Sequence, residues 1–506
     1  MEFSPDQKRA WDRIGAVLNA AGVDIANGDL VPDIRSEQPT LAVVGKAGSG
    51  KTMLLAELVK AISAAGVETV SGDYESRKSR EKRSLAVLAP TNKAASVLRG
   101  RGVPATTIHR ILYTPIYEPE YEAIAEWLSG KAERPDVESM SDEALDRAQA
   151  FYKLHSSIPG ALASAGLRGS DFIKGWKRRD EPLDIGLIDE ASMLDARQYE
   201  DLRELFSTLI LFGDPAQLAP VGSGNEGMVF ESLPQDDRLS LARVHRQASD
   251  NPIIDLAHAL GDENLDFHAF EDRIHEAAAK DDRVVVARRV DPDAMARAPV
   301  LVWRNDTRIR LIHAFRLAHN APADGLSPGE PLICDGIELP LKHRKRRMDL
   351  EARGLVKGAQ AVYVGPGTRP GFSRLFLIGT EDPQISVASI IQIESPGEEE
   401  PFIPSAARMG AVFLHGAAVT IHKAQGSQWP SVQLFAPDII AAARSGRNEA
   451  GLPLWKRLTY VAITRAEERL VWVTRYAMAR PSEKLGTADL RRSTQAPDLM
   501  KVANTE

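Results

Sequence analysis

The sequence predicts an α/β protein of two parallel-sheet domains, each interrupted by an insert. Three observations predict it. Short apolar runs ending in polar or glycine residues alternate with helical patterns through residues 1–240, the grammar of a parallel sheet with crossover helices. The same alternation returns after residue 299, and two stretches, 111–180 and 321–409, break it. A chain of 506 residues exceeds the size of a single core several-fold, so more than one structural unit is expected on length alone.

In order along the chain, Leu41-Ala42-Val43-Val44, Leu85-Ala86-Val87-Leu88, Ile185-Gly186-Leu187-Ile188 and Thr208-Leu209-Ile210-Leu211-Phe212 read as buried strands of the first domain. Pro299-Val300-Leu301-Val302-Trp303, Ala418-Val419-Thr420-Ile421, Val432-Gln433-Leu434-Phe435 and Leu470-Val471-Trp472-Val473 read as strands of the second. The first insert mixes aromatic residues, an acidic helical part and a basic-aromatic end, Phe172 to Arg179, with Phe172 and Trp176 as its notable rings. The second is punctuated by Gly and Pro and strand-like at 360–364, 374–378 and 385–391, which predicts a small β-barrel. Residues beyond about 480 form a polar tail, and no internal repeat is present.

Composition narrows the class. With 43% apolar and 26% charged residues this is an ordinary globular chain. The one cysteine, Cys334, excludes an intramolecular disulfide and any cysteine-based zinc cluster, so a metal would be oxygen-bound and a reducing compartment is expected. No apolar run is long enough to span a bilayer and the first residues lack a basic-then-apolar leader; a cytoplasmic protein without membrane partners is expected. A net charge of −7 argues against coating nucleic acid by bulk electrostatics, though a local basic groove is compatible with it.

The chemistry enters at Gly45-Lys46-Ala47-Gly48-Ser49-Gly50-Lys51-Thr52, a full Walker A loop between a strand and a helical pattern. Glycines let backbone N–H groups turn onto phosphate oxygens, so Gly48, Ser49 and Gly50 are candidate ATP contacts, Lys51 supplies charge to the β- and γ-phosphates, and the helix N-terminus adds its dipole. Thr52 is the expected Mg²⁺ ligand through its hydroxyl. Asp189-Glu190 closes a later strand, where Asp189 is expected on Mg²⁺ and Glu190 on the attacking water. Gly213-Asp214-Pro215-Ala216-Gln217 ends the next strand and places the Gln217 amide to sense the γ-phosphate. Phosphoryl transfer gains from an added positive charge, and the second domain offers Arg246 and Arg465 as fingers.

With these motifs in order, the chain resembles superfamily-one helicases of the 5′-to-3′ Dda/RecD-like type. Phe3-Ser4-Pro5-Asp6-Gln7 resembles the adenine-reading Q motif, with Gln7 in that role. Ala89 to Ala95 and Thr106 to His109 resemble single-strand-binding motifs, Gly213 to Val221 the motif coupling nucleotide to DNA, and Val419 to Ser427 and Tyr460 to Ala466 the second-domain motifs. The resemblance covers roughly residues 1–475. It implies two RecA-like P-loop domains, the first over 1–110 and 181–240 with a pin-type insert at 111–180. The second would run over 241–320 and 410–480 with a small SH3-like β-barrel at 321–409, followed by a tail at 481–506.

The resemblance also implies ATP and Mg²⁺ in the cleft, with Gln425 and Gly426 as further nucleotide contacts, and single-stranded DNA across the top of both domains. Pro90, Thr91, Asn92, Lys93, Thr107, His109, Thr420, His422 and Lys423 are the candidate strand contacts. They are mainly small polar or basic groups suited to phosphate and sugar. The implied partners are single-stranded DNA and DNA forks, with single-strand-binding or replication proteins beside them, and a monomer is expected. The sequence departs from relatives where an acid often follows the Gln-Gly pair: it has Gln428 and Trp429. The basic run Lys342 to Arg347 is either a duplex contact or a solvated loop. Competing readings are a single-strand translocase that displaces proteins, an RNA helicase of the same superfamily, and a P-loop switch without a nucleic-acid track.

Overall fold

The computed structural model describes residues 3–35, 37–70, 83–138, 140–156, 158–167, 173–220, 227–242, 251–338, 347, 349–351, 353–380, 382–394 and 410–486. Arg246, Phe172 and residues 342–346 of the basic run lie outside the described residues.

The apolar runs of the first half become strands because both of their faces are covered. They form a parallel sheet in the order Arg238–Leu241, Thr40–Gly45, Phe206–Gly213, Leu183–Ile188, Ser84–Ala89 and Glu68–Thr69, with Ala105–Thr107 also paired to Ser84–Ala89. Alternate side chains serve opposite layers, as the period of a strand requires. Leu41, Val43, Leu85, Val87, Ile210 and Phe212 meet the helices Pro5–Ala20 and Lys51–Ala64, while Ala42, Ala86, Leu88, Leu209 and Leu211 meet Ile108, Leu112, Leu202 and Phe230.

The second parallel sheet runs Val284–Ala287, Ala466–Val473, Trp429–Phe435, Val300–Val302, Ala418–Thr420. Leu301, Val419, Leu434 and Trp472 pack with the helices Pro252–Ala259, Phe267–Lys280 and Leu454–Ile463. Val300, Val302 and Val473 pack with Phe315 of the helix Asn305–Ala318. Trp429, which stands near the acid of relatives, is a buried core residue opening its strand. Four strands of the two parallel sheets escape the sequence reading, Glu68–Thr69, Ala105–Thr107, Arg238–Leu241 and Val284–Ala287, each short or interrupted by polar residues.

One buried carboxylate organises the second sheet's edge. Asp438, in the helix Ala436–Arg444, accepts the N–H groups of Trp303 and Arg304 at 3.0 and 2.9 Å, the Arg304 guanidinium at 2.6 and 2.9 Å, and the Thr307 hydroxyl at 2.9 Å. Asp438→Ala would leave the Trp303 and Arg304 N–H groups and the Thr307 hydroxyl without their acceptor at a fully buried point, while the half-exposed Arg304 guanidinium would turn to water. It is expected to cost about 3 kcal/mol, read as a lower urea midpoint for the second-domain tryptophan signal, with Lys51-dependent properties unchanged.

The first insert joins Tyr113–Tyr117 and Ile173–Arg178 as an antiparallel ribbon. Between them the helices Pro119–Leu128, Asp142–His155 and Ile158–Ser164 close a small core of their own around Ile124, Leu128, Leu145 and Leu162. The second insert is a closed barrel of Pro331–Glu338, Gln360–Pro366, Phe372–Leu377, Gln384–Gln392 and Gly410–His415. Its pairs are antiparallel except the last two strands, which run parallel. Its closing strand lies beyond residue 409, a correction to the expected boundary: Phe413 and Ala411 fill the barrel core, so 410–415 belongs to the barrel.

The barrel's root is fixed by Glu330, fully buried, which takes the Arg316 Nε–H at 3.0 Å, the His415 Nε2 at 3.0 Å and the Ser327 N–H at 2.6 Å. Burial works against this carboxylate, but the His415 hydrogen bond and the His415 and Arg316 charges hold it below its usual range. The tail expected from residue 481 begins docked, with the Ser482 N–H and hydroxyl on Asp293.

Candidate nucleotide and strand site

The phosphate loop turns between the strand Thr40–Gly45 and the helix Lys51–Ala64 with Gly48 and Gly50 both at φ 82°, conformations that cost a side chain dearly. Gly45 is fixed by space as well: a Cβ there would lie 2.4 Å from Ser49 Oγ and 3.0 Å from the Leu241 carbonyl. The Lys51 ammonium spans the loop, donating to the Gly45 and Lys46 carbonyls at 2.5 and 3.1 Å. Thr52 is half-buried in the first turn of that helix. Ser49 Oγ is buried without a hydrogen-bond partner, an orphaned polar atom inside the cradle.

Gln7 lies fully buried behind the loop. Its side chain closes a capping box with Ser4 at the start of the helix Pro5–Ala20, and its amide donates to the Ser49 carbonyl at 3.3 Å. In this state the residue expected to read adenine braces the phosphate loop.

The paired acids follow the strand Leu183–Ile188. Glu190 adopts φ 53°, ψ 39°, a left-handed conformation rare outside glycine, which turns it sharply out of the strand direction. Its carboxylate accepts the Gln217 amide at 3.0 Å, and the Gln217 carbonyl oxygen accepts the Ser192 hydroxyl at 3.2 Å. Burial first, and then the neighbouring Glu190 charge, push the Asp189 carboxyl up, with Lys51 opposing. A divalent cation would relieve that cost, and the donor set of Thr52 hydroxyl and Asp189 carboxylate is hard oxygen, as Mg²⁺ prefers. Among the described residues there is no cluster of three or more His, Cys, Asp or Glu side chains that could hold a metal.

The second domain reaches into this site. Arg465 is buried, its Nε–H on the Val461 carbonyl, one terminal nitrogen on the Ser427 carbonyl and the other on Thr464 Oγ1, each at 3.1 Å. Burial lowers its pKa, while the charges of Glu190 and Asp214 favour its ionised form, so the guanidinium feels the first domain's acids. Three groups that the sequence reading missed join the domains. Arg457 donates to the Pro215 and Gln217 carbonyls, Glu449 accepts the Ala219 N–H at 2.7 Å, and the Tyr460 hydroxyl donates to Asp214 Oδ2 at 2.6 Å. Arg457, Tyr460 and Arg465 recur on or just beyond one helix, Leu454–Ile463, a spacing that a helical reading of the motif would have put on neighbouring faces.

The strand-contact candidates gather elsewhere on the molecule. Pro90, half-buried, leads into Thr91, which caps the helix Asn92–Gly100 by accepting the Ala94 N–H at 3.1 Å; Asn92 is that helix's first residue. Burial pushes the Lys93 ammonium down, and Gly358 of the barrel, at φ 87°, has room for Lys93 Cβ only because it lacks its own. Thr107 caps the next helix through the Arg110 N–H at 3.4 Å. His109 sits between Tyr113 and Trp176, with ring centroids at 5.0 and 4.3 Å, and burial lowers its pKa. Trp176 keeps 47% of its surface exposed, more than a core role expects. Arg110 pairs with Glu351, tying the first domain to the barrel.

From the second domain, Thr420 Oγ1 accepts the Lys423 N–H at 3.4 Å, Lys423 is exposed, and burial lowers the half-buried His422. Gln425 is buried. Gly426, expected at the nucleotide, also closes on the first domain: a Cβ on it would meet Ala94 Cβ and Thr91 Oγ1 at 3.3 Å, and its φ is 73°. It lets the two domains touch beside the strand candidates.

One phosphate loop closed by a second parallel α/β domain defines the class of two-domain P-loop NTPases. The family described as AAA domain matches residues 30–279, and the UvrD-like helicase C-terminal domain matches residues 415–473. The chain thus carries, in order, a match to an AAA domain and a match to a UvrD-like helicase C-terminal domain. It is 27% identical over 332 residues to an ATP-dependent RecD2 DNA helicase of Deinococcus radiodurans, covering 62% of this chain and 40% of that protein. It is 23% identical over 470 residues to a conjugal transfer protein TraA of Agrobacterium fabrum, covering 88% and 37%. The chain thus spans about two fifths of the length of these curated relatives.

Among solved structures, the Pif1 helicase of Candida albicans matches at TM-score 0.47 and 15% identity over 95% of this chain and 98% of that one. The Bacteroides Pif1 helicase, solved with ADP-AlF3 and single-stranded DNA, matches at TM-score 0.46 and 14% identity over 97% of each chain. No helix among the described residues is long and apolar enough to cross a membrane.

Proposed function

We propose that the chain is an ATP-driven motor that moves 5′ to 3′ along single-stranded DNA and separates duplex strands ahead of it. The observation that carries this reading is an inter-domain hold beside the paired acids: Arg457, Glu449 and Tyr460 of the second domain bind the Pro215–Ala219 segment and Asp214 of the first. Gln217 in that segment holds Glu190, so a change in the acid's surroundings reaches the four hydrogen bonds that tie the second domain to this stretch. In this reading each domain is RecA-like, the barrel is SH3-like, and domain closure alternates the grip of two sets of strand contacts.

ATP supplies the phosphoryl group whose transfer to water drives the cycle. Backbone N–H groups from Gly48 to Thr52 and the Lys51 ammonium would hold the phosphates, and Thr52 and Asp189 would hold Mg²⁺, whose charge would offset that of the phosphate oxygens. Glu190, oriented by Gln217, accepts the proton of the attacking water, and Arg465 offsets the charge that develops. Thr91, Asn92, Lys93, Thr107, His109, Thr420, His422 and Lys423, with Pro90 shaping the loop, follow the sugar-phosphate backbone without reading bases. The ribbon that exposes Trp176 beside His109 favours strand separation over simple tracking: it places a bare ring next to the strand candidates.

Duplexes with a single 5′ or 3′ tail test the proposal under single-turnover conditions. Only the 5′-tailed duplex is expected to open. Opening of the 3′-tailed duplex alone would reverse the polarity. If neither opens while streptavidin is displaced from a biotinylated 3′ end, the chain is a translocase.

A further inference from the structure

The Ala47 peptide of the phosphate loop is gripped at both polar atoms by the other domain. Its N–H donates to Tyr460 Oη at 2.8 Å, and its carbonyl lies 3.3 Å from His258 Nε2, the nitrogen that must carry the proton to donate. The Tyr460 hydroxyl donates in turn to Asp214 Oδ2 at 2.6 Å, so one phenol ties the phosphate loop to the Gly213–Asp214 turn. The two gripping residues come from separate helices, Pro252–Ala259 and Leu454–Ile463, that pack against each other. Next to them, Lys46 is held so close to Gly261 that a Cβ there would lie 2.5 Å from its Nζ. Burial keeps the Tyr460 phenol protonated, its pKa well above the ordinary value, so the hydroxyl keeps its donor to Asp214.

Neither group is part of the nucleotide chemistry assigned above. Yet the N–H that Tyr460 occupies belongs to a loop whose backbone donors exist to face phosphate oxygens. Ala47 also packs against the apolar core of the second domain, the domain that carries Arg465. A terminal phosphate lying toward Arg465, as the ATP-site reading has it, would be the one to meet the Ala47 N–H. An anionic phosphoryl oxygen is a stronger acceptor than a neutral phenol.

We propose that Tyr460 and His258 form an inter-domain latch on the Ala47 peptide, and that the terminal phosphate of a nucleoside triphosphate competes with the Tyr460 hydroxyl for the Ala47 N–H. A diphosphate leaves the latch in place. The latch would thereby tell the second domain whether the third phosphate is present, since a ligand shifts a two-state contact only by its differential affinity for the two states. Tyr460 and His258 are positioning residues in this account, which rests on the ATP-site reading above.

The test is equilibrium binding of fluorescent AMP-PNP and fluorescent ADP to the full chain, with Mg²⁺, at constant salt and without DNA. Tyr460→Phe keeps the packed ring and removes the competing oxygen. It is expected to tighten AMP-PNP binding by about fivefold, the scale of one net hydrogen bond, and to leave ADP within about twofold. His258→Ala loosens the other half of the latch and is expected to act in the same direction; it carries the test should Tyr460→Phe fold poorly by its thermal midpoint. Equal shifts for both nucleotides would mean a merely structural contact and overturn the latch, as would weaker AMP-PNP binding. Failure of the unaltered chain to bind either nucleotide would instead remove the ATP site itself and the latch with it.

Discussion

Lys51→Ala is expected to lower ATP turnover by about a thousandfold while the fold survives, because it removes the one side-chain charge held inside the phosphate loop. In the structure the Lys51 ammonium rests on the Gly45 and Lys46 carbonyls, so it is positioned before any ligand arrives and its loss leaves only neutral carbonyls behind. Glu190→Gln is expected to reduce turnover by about 10²–10⁴-fold for a different reason. The amide keeps size and the hydrogen bond with Gln217 but cannot take a proton. The two variants therefore diverge in binding: Glu190→Gln should retain ATP and hold single-stranded DNA tightly, and Lys51→Ala should do neither. Steady-state hydrolysis with parallel nucleotide-binding curves checks both. Unchanged turnover in either would remove these residues from the chemistry.

Arg465→Ala is expected to lower the maximal rate by about a thousandfold or more, with a much smaller change in the ATP concentration needed for half-maximal rate. The guanidinium is buried among the Val461 and Ser427 carbonyls and Thr464 yet sits within electrostatic reach of Glu190 and Asp214, so its charge faces the acids from the opposite domain. Removing it also strands two carbonyls, at about 1–3 kcal/mol each if they stay dry. Arg465→Lys separates the two effects: it keeps the charge and loses the planar fork. A lysine variant as slow as the alanine one would assign the effect to geometry, and wild-type rates in the alanine variant would remove Arg465 from the site.

What the sequence made legible follows from the range of the interaction. The phosphate loop, the Asp189-Glu190 pair and the Gly213–Gln217 turn are each set by neighbours within a few residues and by their place at strand ends, so spacing alone exposes them. The strands at 41–44, 85–88 and 185–188 were legible because burial on both faces makes them uniformly apolar. Glu68–Thr69 was not, since a two-residue edge strand carries no period. The barrel's closing strand, Gly410–His415, fell on the second-domain side of the expected boundary at 409, because an apolar run does not announce which core it enters.

The inter-domain contacts were hidden for a different reason. Tyr460 with Ala47 and Asp214, Arg457 with Pro215 and Gln217, and Glu449 with Ala219 join residues more than two hundred positions apart, and each is an ordinary residue in its local setting. Gly426 carries a further contact of this kind, since a Cβ on it would meet Thr91 and Ala94 across the seam of the two domains.

The claim on which all of this depends is that one nucleotide site is coupled to a single-stranded track, and ATP hydrolysis at constant salt with single-stranded DNA, with single-stranded RNA and with no polymer tests it most directly. The account predicts slow hydrolysis alone, strong stimulation by DNA independent of base sequence, and little by RNA. Stimulation by RNA alone would replace the substrate and keep the motor. Hydrolysis at one rate in all three conditions would contradict the coupling and leave a P-loop ATPase without a track.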